Sequence, residues 1–189
     1  MNENLAYKDE FRDELIGGKV VMMSPASPNH NRVVRNISGL FDRYLRGRTC
    51  EAFTDGVLVY LTEDEHFIPD VLIVCDPDKV QGDGIHGSPD LVVEVLSPST
   101  AQNDRRHKKE VYERCGVREY WIVSPGERTV EQYLLQDKEL VLHQIYADYP
   151  EWMLQRMTPE AQAAVIREFK CSLYDDLVIP IADVFARVL

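Results

Sequence analysis

Apolar positions along the chain follow two rhythms, and each change of rhythm marks an element. Val33, Ile37, Leu40, Phe41, Tyr44 and Leu45 recur at intervals of three and four. That is the period of a helix with one buried face, and it predicts a helix over 29–46 that stops at Gly47. Residues 14–23 before it read as a hairpin with Gly17-Gly18 at the turn, followed by a loop at 24–29. After the helix come short apolar runs bounded by turn formers, which predict strands at 50–61 (bent at Gly56), 67–75 and 90–96. Residues 76–88, rich in Gly, Pro and Asp, read as a loop. A second helix is expected over about 101–115, with Ser99 or Thr100 as its cap and Gly116 as its end. Strands follow at 119–123, 129–135 and 139–145. The stretch 147–170 then breaks the pattern and reads as an inserted helical element, with Ala161 to Phe169 helical. A strand at 177–179 and a short helix at 181–188 close the chain. The order predicts one α/β (α+β) domain over 1–189, with a mixed central sheet flanked by helices.

Two of the strands carry an acidic residue where an apolar one is expected. Phe67-Ile68-Pro69-Asp70 leads into Val71-Leu72-Ile73-Val74, and Pro89-Asp90-Leu91-Val92-Val93 runs into Glu94-Val95-Leu96. A carboxylate buried in such a run is costly without a cation. Magnesium takes oxygen ligands and keeps several waters, so Asp70, Glu94 and the backbone carbonyl of Val95 are candidate metal ligands. Hydrolysis of a phosphodiester also needs an activated water and stabilised charge. Lys108 is the best placed lysine, because Asp104, Lys108 and Tyr112 lie at i, i+4 and i+8 along one helix face. The bland alternative is an exposed Asp104–Lys108 ion pair, worth a few tenths of a kcal/mol.

Composition narrows the class. The chain has 189 residues, 44% apolar and 28% charged, with a net charge of −11. Such an acidic balance argues against a protein that coats nucleic acid non-specifically, but not against an enzyme that acts on it. Basic residues cluster locally, at 32–48 and at 103–118. Arg105, Arg106 and Lys109 on the second helix are candidate nucleic-acid contacts. No apolar run reaches the length of a membrane span. Cys50, Cys75, Cys115 and Cys171 show no C-x-x-C spacing, so they read as free thiols in a reducing cytoplasm. Gly82-Asp83-Gly84-Ile85-His86-Gly87 spells a dinucleotide fingerprint, but a strand follows it where a helix must open, so it reads as a loop.

The stretches Phe67–Asp70, Ser88–Thr100 and Gly116–Pro125, with Asp104, Lys108 and Tyr112 between them, resemble the Uma-type family of endonucleases. That family lies within the restriction-endonuclease-like PD-(D/E)XK superfamily. Glu14 to Ser24 and His30 extend the likeness, which covers about residues 10–145. The resemblance implies a nuclease core and a Mg²⁺- or Mn²⁺-dependent attack on a nucleic-acid phosphodiester, most simply DNA. It assigns metal binding to Asp70 and Glu94. The superfamily lysine normally stands two residues after the acid, where this chain has Leu96, so the resemblance selects Lys108 instead. It adds Glu14, His30 and Asp104 as accessory residues, and a homodimer. Against the enzyme stand a non-catalytic nucleic-acid-binding or regulatory module on the same fold, and a phosphohydrolase of small esters.

Overall fold

The computed structural model describes residues 13–23, 25–54, 56–98 and 100–189. The hairpin pairs β1 (Asp13–Ile16) with β2 (Lys19–Met22), and α1 (Pro28–Leu45) follows. Then come β3 (Glu51–Thr54), β4 (Val59–Thr62), β5 (Glu65–Phe67) and β6 (Val71–Val74). β7 (Val80–Gln81), β8 (Gly84–His86) and β9 (Leu91–Val95) lead to α2 (Ala101–Asn103), a π-helical turn over Asp104–Lys108 and α3 (Lys109–Cys115), which run on as one helix. β10 (Glu119–Ser124), β11 (Thr129–Gln136) and β12 (Glu139–Ala147) follow. The C-terminal part holds α4 (Glu151–Leu154), α5 (Pro159–Ala163), β13 (Glu168–Lys170), β14 (Val178–Pro180) and α6 (Ile181–Val184).

The central sheet has the order β12-β11-β10-β9-β6-β3, and a second sheet has the order β2-β1-β5-β4-β8-β7. Both are mixed, since β9 runs parallel to β10 and β4 parallel to β8. Sequence alone predicts unbroken strands at 50–61 and 67–75, and the structure divides each of them. Gly56, at φ 105°, separates β3 from β4. Pro69, with no N–H to give a ladder, separates β5 from β6. In both cases one half joins the central sheet and the other half the second sheet. The predicted loop at 76–88 contains the short β7–β8 pair.

Alternation along the central strands sorts their side chains between two apolar layers. Val71, Ile73, Leu91, Val93, Trp121 and Val123 pack against Val33, Ile37 and Phe41 of α1 and against the C-terminal segment. Leu72, Val74, Val92, Tyr120 and Ile122 pack on the other side with Val111 and Tyr112 of α3 and with Phe67 of β5. Gly116 takes the left-handed conformation (φ 83°) that a helix stop requires, as predicted.

The insertion departs from expectation. Residues 161–169 are not one helix: α5 ends at Ala163, and Phe169 lies on β13, stacked on Tyr146 at 4.5 Å and edge-on to Trp121 at 5.0 Å. β-branched Val165 and Ile166 end the helical run, and an apolar ring at 169 finds the core from a strand. At the second helix Ser99 lies outside the described residues. Thr100 is the cap by position, but its hydroxyl accepts from the Ser97 N–H (3.3 Å) and not from the helix. The cysteines also differ. Cys50 and Cys75 stand side by side just outside the β3–β6 ladder and are bonded to each other, while Cys115 and Cys171 remain free. Two of the four cysteines expected as free thiols are thus bonded, which a reducing compartment does not favour. No helix among the described residues is long and apolar enough to cross a membrane.

Candidate active site

Register places the first two carboxylates. Val71 on β6 pairs with Val93 on β9 in an antiparallel ladder. Extending that ladder by one residue sets Asp70 opposite Glu94. Alternation points both toward the layer that holds α3, because Glu94 shares a face with Val92 and Asp70 with Leu72. The Val95 N–H donates to Asp70 Oδ2 at 2.7 Å and fixes the carboxylate at the strand end. His30, in the first turn of α1, reaches Asp70 Oδ1 through Nε2 at 3.2 Å.

The second helix supplies the cation. Lys108 is buried, with Nζ donating to Glu94 Oε1 at 3.1 Å and to Glu14 Oε1 at 2.7 Å. Asp104 Oδ1 stands 3.8 Å from the same ammonium. The Asp104–Lys108 pair is thus buried, not the exposed surface pair that spacing alone allows. The π turn over Asp104–Lys108 widens the helix here, as such turns commonly do at functional sites. Glu14 comes from β1 of the second sheet and also accepts the Ile68 N–H at 3.0 Å. Tyr112 donates its hydroxyl to Glu94 Oε1 at 2.7 Å. Glu14, His30, Asp70, Glu94, Asp104 and Lys108, scattered over ninety-odd residues, therefore form one buried cluster.

Charge in this cluster is unbalanced. Four carboxylates face one lysine and one histidine. Burial, then the neighbouring Asp104, Asp70 and Glu14, drive the Glu94 carboxyl well above its ordinary range against the pull of Lys108. Burial likewise raises Asp104 to about 6, again against Lys108. Burial works to lower Lys108, but Glu94, Glu14 and Asp104 together outweigh it and hold the ammonium protonated.

A divalent cation fits this chemistry. Asp104 Oδ1 is buried with no hydrogen-bond partner, and two acids facing each other across a ladder repel unless a cation lies between them. Among the described residues no three His, Cys, Asp or Glu side chains gather closely enough to hold a metal unaided. Two strand-end carboxylates, a backbone carbonyl and water would make the kind of donor set that usually holds magnesium.

The predicted nucleic-acid contacts divide. Arg105 pairs with Glu131 and Lys109 with Glu113, so both are engaged within the chain. Arg106 is exposed. Two features escape sequence reasoning. The hydroxyl of Tyr112 was visible only as a position on the helix face. Buried Glu65 of β5 accepts from Gly17 N (3.1 Å), from Arg114 (3.2 Å) and pairs with His107 (3.0 Å). It thereby ties the hairpin that carries Glu14 to the helix that carries Lys108. Its only sequence signal is an acid two residues before a buried phenylalanine.

Comparison with known proteins bears on the family and the fold. The model of the Uma2 family, described as "putative restriction endonuclease", matches residues 2–166. The "uncharacterized protein slr1290" of Synechocystis sp. is 30% identical over 139 residues, covering 71% of this chain and 73% of that protein. A second Synechocystis protein, "uncharacterized protein sll1609", is 28% identical over 145 residues, covering 74% and 82%. A crystal structure of a "putative nuclease belonging to DUF820" from Anabaena variabilis shares the fold, with a TM-score of 0.64 over 94% of this chain and 91% of that one, at 18% identity.

Proposed function

We propose, from the premise that the chain belongs to the Uma2 family, that it is a Mg²⁺- or Mn²⁺-dependent endonuclease acting on DNA. Asp70, Glu94 and the Val95 carbonyl would hold the ion. Bound there, it would neutralise phosphate oxygens and lower the pKa of a coordinated water. The observation that carries the proposal is the Lys108 ammonium, 3.1 Å from a carboxylate directly across the ladder from Asp70.

The chain's own residues divide the remaining work. The Val95 N–H and His30 hold Asp70 in one orientation, and Tyr112 holds Glu94. Glu14, which also accepts from the ammonium, helps to fix the Lys108 rotamer. The ammonium is then positioned to donate to the attacking water or to a phosphate oxygen, where charge develops. Arg106 offers an exposed contact on the same helix. A homodimer would set two such clusters on one duplex and pair their basic helices.

Purified protein incubated with plasmid, single-stranded DNA and RNA tests this, with Mn²⁺ or with EDTA. Cleavage is expected with the metal alone, and Asp70→Ala, Glu94→Ala and Lys108→Ala should each lower it by about 100-fold or more. Variants that cleave like the parent would place the activity elsewhere. One observation favours a non-catalytic module: Lys108 is already satisfied between Glu14 and Glu94. That reading expects nucleic-acid binding with no cleavage by the parent under any metal.

A further inference from the structure

Beside the buried cluster, an open groove of about 720 Å³ runs between α1 and β3. Its helical wall presents Arg35, Ser38 and Gly39, and its other wall is Ala52 to Thr54 with Val57. β3 is the last strand of the central sheet, so no other strand pairs with its outer edge among the described residues. None of the cluster's side chains lines the groove, but its β3 wall runs up to the strand that follows Asp70. Thr54 pairs with Val71, the residue after Asp70, and His30 lies on the same helix as Arg35.

Two independent features single the groove out. The first is Arg35. Three other arginines of this basic stretch are engaged: Arg32 donates to Asn29, Arg46 pairs with Asp42, and Arg48 pairs with Asp176; Arg43 is exposed without a partner among the described residues, but it lies outside the groove. Arg35 is exposed and its guanidinium has no partner among the described residues. Among the described lining residues the acid is Asp42, which is already paired with Arg46. The second is Gly39. Glycine in the middle of a helix is unfavourable relative to alanine. A Cβ built on Gly39 meets nothing within 4 Å, so packing does not demand its absence. The missing side chain does leave the groove wide.

We infer that this groove takes the phosphodiester backbone of a nucleic-acid strand next to the bond presented to Asp70 and Glu94, with Arg35 pairing a phosphate. The assignment rests on the nuclease reading for its direction, since it places the strand at the mouth of that cluster. Arginine suits a phosphate because its planar fork donates two parallel hydrogen bonds. Ser38 and Thr54 add hydroxyls along the same track, and the outer edge of β3 adds backbone donors. The volume lies within the range of ordinary ligand sites.

Fluorescence anisotropy with a labelled oligonucleotide, single-stranded and duplex, separates this inference from cleavage. It is run in EDTA and again with Ca²⁺. Arg35→Ala should weaken binding about tenfold and flatten the salt dependence by about one phosphate contact. Arg35→Glu should weaken it further. Gly39→Phe should block binding while leaving the melting temperature at or above that of the parent. Arg43→Ala, on the same helix but outside the groove, should bind like the parent. Unchanged binding by Arg35→Glu and Gly39→Phe, an equal loss in Arg43→Ala, or no binding by the parent in either buffer would overturn the groove. Groove-dependent binding by a parent that never cleaves would support the groove and sink the nuclease reading alone. Metal-dependent cleavage that ignores both groove variants would do the reverse.

Discussion

Asp104 shows at the scale of one residue what the cluster costs the fold. Its folded pKa of about 6 stands above the ordinary 3.8, because burial outweighs the attraction of Lys108. The folded chain therefore holds this proton more tightly than the unfolded chain does. The stability it contributes is full below about pH 4 and is lost as pH rises through 6. Asp104→Asn should be more stable than the parent at pH 7, by about 3 kcal/mol for a shift of this size, and close to the parent at pH 4. Urea denaturation at the two pH values checks this; an equal difference at both would contradict it. Asp70 and Glu94 were legible in the sequence because an acid inside an apolar strand is anomalous by itself. Glu14 and His30 were not, since an acid in a hairpin and a histidine in a first helical turn are ordinary. Only their likeness to a family marked them. The Glu65 contacts span forty to fifty residues and left no local pattern to read.

At the scale of elements, long periodic segments were legible and their divisions were not. The helix over 28–45 and the strands at 91–95 and 119–124 fall where apolar spacing puts them. The splits at Gly56 and Pro69 depend on which sheet each half joins, and sheet partners come from distant residues that no local window contains. The same holds for the Cys50–Cys75 bond, which spans 25 residues and joins the residue before β3 to the residue after β6. Spacing gave no hint of it, because the two cysteines become neighbours only when β3 pairs with β6. Closing a loop of that length restricts the unfolded chain and stabilises the fold by about 3 kcal/mol. Treatment with a phosphine reductant should therefore lower the melting temperature of the native protein by several degrees. An identical melt with and without reductant would contradict a stabilising bond, as would four titratable thiols in the untreated protein.

Two mixed sheets share the chain, which crosses between them at Gly56 and again at Pro69, and side chains from both enter the acidic cluster. β1 of the second sheet sends in Glu14, β6 and β9 of the central sheet bring Asp70 and Glu94, and the helix between β9 and β10 brings Lys108. No single element holds the site, so its geometry reports on the packing of all of them. A net charge of −11 overstates the repulsion a nucleic acid would meet. Several of those charges sit in the cluster, two of them on carboxyls whose affinity for protons is raised, and a divalent cation would offset two more. Isothermal calorimetry with Mn²⁺ at neutral pH tests the cation site most directly. One ion should bind per chain, with release of protons, and Asp70→Ala and Glu94→Ala should each abolish it while remaining folded. A parent that takes up no Mn²⁺, or variants that bind it as the parent does, would contradict a metal site at Asp70 and Glu94.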